Sequence, residues 1–332
     1  MDLPEPVPSN PMIQLPSLAE LEAAAALVYR AMPPTPQYAW PLLQGLAGAE
    51  LWVKHENHTP TGAFKVRGGL SYFDALRRRE PDCPGVISAT RGNHGQSVGF
   101  AARRHSLRAS IVVPHGNSRE KNAAMRALGV ELIEHGEDFQ EAREHAGMLA
   151  RRDGLHMIPS FHRDLLLGVA SYWLELFRAV PDIDVALVPV GQGSGICSAV
   201  AAREALGLRT RIVGVVSAHA DSHARAFETR RIEAVAATTR VADGMACRVP
   251  DLDAMEILWR HVDDIVRVDD AAVLDAMRLY YTATHNLAEG AGAAALAGAL
   301  ALRERLRGQR VAVVLSGANV DLDLFREAAP AA

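Results

Sequence analysis

Runs of nearly uninterrupted Val, Ile, Leu and Ala recur at Val86–Ala89, Ser110–Val113, Val130–Ile133, Val185–Val190, Ile212–Val216 and Val311–Leu315. Longer stretches between them follow a helical pattern, in which one face is buried and apolar positions return every three or four residues. A strand that is apolar on both faces needs a cover on both, which alternating helices provide. The pattern predicts an α/β chain of βαβ units with parallel sheets. Two Rossmann-like lobes fit it, with a ligand beyond the carboxyl ends of the strands, where loops lead into helices. Residues 84–160 hold three strand-plus-helix units and read as a small domain inserted into a large cofactor-binding domain made of 1–83 and 161–332.

At 332 residues the chain can bury a substantial core without disulfide staples. Its charges are scattered and sum to −4, which leaves no basic stripe for a nucleic acid. Cys83, Cys197 and Cys247 are too few and too far apart for a disulfide framework and read as small buried hydrophobes in a reducing compartment. The opening MDLPEPVPSNPMIQLPS has acids and prolines where a secretory signal needs a cationic patch and an apolar run. The apolar stretch Ala291–Leu302 falls short of the roughly 20 residues that cross a bilayer. The expectation is a cytoplasmic protein with no membrane partner.

Four segments look more like a site than a scaffold. In TGAFKVRGG, Thr61 to Gly69, Lys65 sits among small residues after the polar turn Asn57–Pro60. A lysine drawn into a partly apolar pocket loses some hold on its proton, and its amine becomes available for a Schiff base. A solvated surface lysine is the plainer alternative, and Lys54, in the alternating strand Leu51–His55, is a rival without glycine surroundings. SATRGNHGQ, Ser88 to Gln96, closes a strand and opens a helix, where free N–H groups and the helix dipole suit a carboxylate. The plainer reading is a helix capped by Thr90 or Asn93.

VGQGSG, Val190 to Gly195, follows the most apolar strand, and its glycines and the Ser194 hydroxyl could wrap a phosphate. A nicotinamide dinucleotide competes for that loop. Against it, the glycine spacing departs from the dinucleotide pattern, and strand Ile212–Val216 runs into Ser217-Ala218-His219 rather than a ribose-binding acid. In VLSGANV, Val314 to Val320, the Ser316 hydroxyl could meet a neutral ring nitrogen or simply stabilise a turn. His55 and His58, like His115, His135 and His156, share no helical face with a third ligand, so no metal is expected. Asp263-Asp264 and Asp269-Asp270 read as solvated loop charges.

In this order, TGAFKVRG, GNHGQ, GQGSG and LSGAN, with AEGAGAAALAG from Ala288, resemble the threonine/serine dehydratase branch of fold-type II pyridoxal-phosphate enzymes, which includes serine racemase. The resemblance spans nearly the whole chain. It implies the tryptophan synthase β-like fold, pyridoxal 5'-phosphate as cofactor, and Lys65 as the residue that holds it and shuttles the Cα proton. By the same resemblance Phe64 packs beside the ring and Asn93 binds the ring hydroxyl. Gly191, Gln192, Gly193, Ser194 and Gly195 take the phosphate, and Ser316 faces the ring nitrogen. Thr90, Arg91, Gly92 and His94 fall to the substrate. The implied reaction deaminates a small amino acid with a β-hydroxyl, L-threonine or L-serine first, to a 2-oxo acid and ammonia. Hydroxyaspartate, phenylserine and racemisation are the alternatives, and a homodimer is the family tendency.

Two departures stand out. The family places a small residue before the glycine of the asparagine loop, and racemases use a serine there on the far face of the substrate carbon. Here it is Arg91, which disfavours racemisation. A guanidinium at the positive end of a helix calls for an answering anion, either a substrate carboxylate or a scaffold acid away from the pocket. Some relatives also bind a divalent cation through an acid after the next strand; here that position is Ser217, and no metal is expected. The length leaves no room for the amino-acid-sensing module of biosynthetic threonine dehydratases, which implies a catabolic form.

Overall fold

A computed structural model describes residues 14–329. Most of the N-terminal stretch that argues against a secretory signal lies outside them. The expected α/β architecture is present as two sheets. The larger sheet takes β1 (Gln37–Ala39), β2 (Glu50–His55), β7 (Val185–Pro189), β8 (Arg211–Ser217), β9 (Asp264–Val268) and β10 (Arg310–Leu315), in the order β1-β2-β10-β7-β8-β9. All its neighbours are parallel except β1, which pairs antiparallel with β2. The smaller sheet is wholly parallel, in the order β5-β4-β3-β6, from β3 (Val86–Ala89), β4 (Ala109–Val113), β5 (Glu131–Glu134) and β6 (His156–Met157).

The strands whose every residue is buried are those that read as unbroken apolar runs, such as β3 and β4. β9 gives no apolar run because DIVRV carries charge at its first and fourth positions and is only partly buried. The neighbouring acids are not free loop charges. The Asp263 carboxylate accepts the Ile212 N–H at 2.8 Å, Asp264 opens β9, and Asp269 caps helix Asp270–Thr284 by accepting from Ala272 at 2.8 Å. Asp270 accepts the Thr239 hydroxyl at 2.7 Å. The Ala- and Gly-rich stretch is an enclosed helix, Gly290–Ala301, and small residues let it lie close on the large sheet. A side chain at Gly298 would come within 2.8 Å of Val215 on β8. No helix among the described residues is long and apolar enough to cross a membrane.

Helix Lys65–Arg79 connects the fold to the chemistry. It crosses helix Arg163–Ala179 at a distance only glycine permits, since a Cβ at Gly168 would lie 2.1 Å from the Arg67 carbonyl oxygen. At that crossing Arg67 is fully buried and fully paired. Its Nε and Nη2 donate to Glu56 at 2.7 and 2.9 Å, and Nη1 donates to Glu175 at 2.6 Å and to Ser171 Oγ at 2.8 Å. Lys54 joins the same cluster, 2.6 Å from Glu175, so the rival lysine is a structural counter-ion rather than a reactive amine. Burial alone would lower the Arg67 pKa, yet Glu56 and Glu175 drive it far above its ordinary value, so the guanidinium keeps its charge. Two cations thus meet two anions in a largely buried cluster, and removing one leaves an unanswered charge. Arg67→Ala is expected to cost about 3–5 kcal/mol of stability, read from the shift in urea midpoint; a loss below about 1 kcal/mol contradicts this account.

Candidate active site

Every residue assigned to the site from the four segments lines one cleft, about 900 Å³ counting its open mouth, at the carboxyl ends of strands from both sheets. Lys65 is the first residue of its helix and partly exposed to the cleft. The segment before it is stitched to the end of β10: the Phe64 N–H donates to the Ser316 carbonyl at 3.0 Å, and Ala63 bridges Gly317. The Asn319 amide donates to the Thr61 carbonyl at 2.8 Å. Protein atoms crowd the Lys65 amine and bring its pKa down to about 8, a fall that the charge of Glu289 partly offsets. The amine lies 4.8 Å from the centre of the Phe64 ring.

The Gly191–Gly195 loop enters helix Ser194–Ala205 at Gly193, which takes φ +97 and offers no side-chain cap. A Cβ at Gly191 would strike the Gly244 carbonyl oxygen at 2.6 Å, so the loop can run this close only as glycine. The helix therefore presents uncapped N–H groups to the cleft, together with the positive end of its dipole. Gln192 turns aside and donates to Cys247 Sγ at 3.1 Å. Cys197 is buried in the core, whereas Cys247 is buried yet lines the cleft, where burial pushes its thiol up to about 11 and leaves it unreactive. Ser316 Oγ makes one long hydrogen bond, 3.3 Å to the Ala291 carbonyl, that a hydroxyl rotation can exchange for another acceptor.

The third wall is the start of helix Asn93–Arg104. Neither Thr90 nor Asn93 caps it. The cap is Gly92, at φ +153, because a Cβ there would lie 2.3 Å from Lys121 Cδ. Thr90 Oγ1 instead accepts the Gly92 N–H at 2.9 Å and closes the turn. Asn93 is clamped from two sides: its Nδ2 donates to Glu289, and its Oδ1 accepts from Asn319 Nδ2 at 2.9 Å. One amide N–H of Asn93 stays available. His94 is buried with Nε2 unpartnered, and burial with the nearby Lys65 charge pushes its pKa down to about 3, so it is neutral near pH 7. Arg91 lines the cleft, and its buried Nε finds no partner among the described residues. Of its two expected partners, the scaffold acid is not found among the described residues.

The sequence reading missed a buried charge cluster in the same wall. Lys121 Nζ lies 2.7 Å from Asp243 and 2.9 Å from Glu289, linking the helix after β4 to the loop at 243 and the start of helix Gly290–Ala301. Burial alone would lower the Lys121 pKa, but the two carboxylates hold it well above its usual value. Burial raises that of Glu289, against the pull of Lys121. Glu289 lies inside AEGAG and was the one member with a visible signal. Reductive labelling of Lys65 by a small aldehyde, followed by peptide mass spectrometry, should rise with pH and level off with a midpoint near 8. A midpoint at the ordinary lysine value of about 10.4 contradicts the buried-amine geometry.

The family described as pyridoxal-phosphate dependent enzyme matches residues 28–317. The chain is 31% identical over 285 residues to an L-threonine ammonia-lyase of Thermotoga maritima, covering 86% of this chain and 71% of that one. An L-threo-3-hydroxyaspartate ammonia-lyase from Pseudomonas sp is 30% identical over 295 residues, covering 88% and 91%. Among solved structures, a threonine deaminase from T.th. superposes with TM-score 0.85 at 34% identity, over 92% of this chain and 99% of that one. The cleft fits such a cofactor on its own evidence: a glycine cradle with uncapped N–H groups for a phosphate, and a lysine amine with a lowered pKa for an aldehyde. The chain belongs to the pyridoxal-phosphate dependent enzymes, with their fold-type II architecture and pyridoxal phosphate as cofactor.

Proposed function

We propose that the protein is an ammonia-lyase that converts a β-hydroxy amino acid, L-threonine or L-serine first, to a 2-oxo acid and ammonia. The observation that carries this reading is the placing of the Lys65 amine in one cleft with the Gly191–Gly195 cradle and the uncapped start of helix Asn93–Arg104. Bound pyridoxal phosphate supplies an electron sink for the pair left at the α-carbon. Lys65 would be its covalent anchor, and Lys65 Nζ, with its lowered pKa, would take the α-proton once the substrate's amine has displaced it.

Gly191, Gln192, Gly193, Ser194 and Gly195 hold the phosphate, the glycines through backbone N–H groups and Ser194 also through its hydroxyl. Phe64 flanks the ring. The free Asn93 N–H serves the ring hydroxyl, with the amide fixed by Glu289 and Asn319. Ser316 meets the ring nitrogen as a neutral hydroxyl, too weak an acid to protonate it, which suits prompt loss of the β-hydroxyl over a long-lived carbanion. Thr90, Gly92 and His94 shape the turn that receives the substrate carboxylate, and neutral His94 adds no charge to it. Arg91 occupies the place from which a second acid/base would serve racemisation. A guanidinium does not give up its proton near pH 7, so elimination is favoured.

The same reading treats residues 84–160 as a smaller unit inserted in the larger one, carrying the Thr90–His94 turn into the cleft. A cytoplasmic homodimer is part of it, on the three free cysteines and the family tendency. Purified protein supplied with pyridoxal phosphate should absorb in the visible and form ammonia and 2-oxobutanoate from L-threonine. Lys65→Ala should lose the absorbance and lower turnover by about 1,000-fold or more. Borohydride trapping that places the adduct on another residue overturns the assignment.

A further inference from the structure

Lys121 stands on helix Arg119–Ala127, outside the four segments that build the cleft, yet it reaches two of their residues. Its backbone is held from beyond the helix: Ser118 Oγ accepts the Lys121 N–H at 3.1 Å and donates to Asp321, in the segment after β10. Its aliphatic stem lies directly under the Gly92 turn. The three atoms nearest a Cβ built at Gly92 all belong to that stem, Cδ at 2.3 Å, Cγ at 3.0 Å and Cβ at 3.1 Å. The ammonium is buried at the far end, where the two oxygens of Asp243 accept from it at 2.7 and 2.9 Å and Glu289 lies at 2.9 Å.

Glu289 passes the influence on. Its Oε2 faces Lys121 and takes no hydrogen bond from the described residues, while its Oε1 accepts the Asn93 amide. Gly317 closes the other side, since a Cβ there would come within 2.3 Å of Oε1. A buried carboxylate set between a cation and an amide donor is oriented by both, and without the cation it would take up a proton or turn away. One lysine thus sets two successive residues by different physics, contact at Gly92 and charge at Asn93. In the lyase reading these two serve different molecules, the substrate carboxylate and the cofactor's ring hydroxyl.

We propose that Lys121 is a positioning residue that keeps the substrate turn at Gly92 in register with the cofactor-holding amide of Asn93, its stem supporting the one and its ammonium, through Glu289, the other. The proposal rests on the lyase reading for what the two residues bind. A misplacement of about 1 Å between reacting groups costs about a hundredfold in rate, so one support shared by substrate and cofactor has a use.

The ammonium's part is read from the ratio of affinities for pyridoxal 5'-phosphate and its 3-deoxy analogue, which lacks the ring hydroxyl. Lys121→Met keeps the stem and loses the charge; it should lower that ratio about three- to tenfold, toward its value in Asn93→Ala, and Lys121→Arg should restore it. A general loss of stability weakens both compounds alike and leaves the ratio unmoved. Each Lys121 substitution by Met or Ala is made alone and with Asp243→Asn, which removes one charge of each sign and decides the point where the single variant does not fold. A ratio within about twofold of the unaltered protein in the Met variants overturns the proposal. Asn93→Ala then shows whether the reading of that amide has failed as well, because only in that case is its ratio unmoved too. The stem's part is read from the visible absorbance of the holoenzyme titrated with glycine, which has no β-substituent to lose. Lys121→Ala, without the stem, should bind glycine about three- to tenfold more weakly than Lys121→Met. Equal affinities overturn the link to the Gly92 turn. Neither measurement needs turnover, so failure of the lyase reading shows separately, as absence of 2-oxo acid from every β-hydroxy amino acid.

Discussion

Arg67 lies two residues after Lys65 on the same helix, with Glu56 gripping its guanidinium through two parallel hydrogen bonds and Glu175 holding it from the opposite side. A charge this deep is tolerable only when each donor has an acceptor, and here each does. The requirement fixes the rotation and depth of helix Lys65–Arg79, and with them the point from which the Lys65 side chain starts. Gly168 and Gly68 allow the backbones to come close enough for the pairing, and Lys54 completes the charge balance. The Lys65 amine is thus placed by a salt-bridge cluster it does not touch.

The remaining parts of the cleft share one device. Helices Lys65–Arg79, Asn93–Arg104 and Ser194–Ala205 all begin at its wall without side-chain caps. Uncapped starts leave N–H groups and partial positive charge directed inward, where a phosphate and a carboxylate are best received. They also discourage protonation of the lysine among them, as burial does. Against this positive ground stand Glu289 and Asp243, which share the single charge of Lys121. The balance lets Asn93 be oriented by a carboxylate without filling the cleft with negative charge.

Much of this was legible in order along the chain because it is local. A strand buried on both faces announces itself in β3, β4, β7, β8 and β10, and a glycine loop that follows one marks a place where backbone meets ligand. Of the edge strands only β5 gave such a signal: Gln37–Ala39 and His156–Met157 are too short to show a period, and DIVRV mixes charge with apolar residues on a half-solvated edge. Capping was misjudged at Gly92 because the deciding contact is with Lys121, remote in sequence. The Lys121, Asp243 and Glu289 cluster was hidden for the same reason. SREKN reads as an ordinary charged helix start, and residues 239–249 have no period at all. Pairs between distant segments leave no trace in spacing, so half of the electrostatics of the cleft becomes visible only when the chain is folded.

The stitch between Ala63 and Gly317 joins segments separated by most of the chain. The turn that carries Lys65 gains this support only when β10 has slotted between β2 and β7. A chain that stops short of β10 would therefore carry the lysine without the backbone partners of the turn before it.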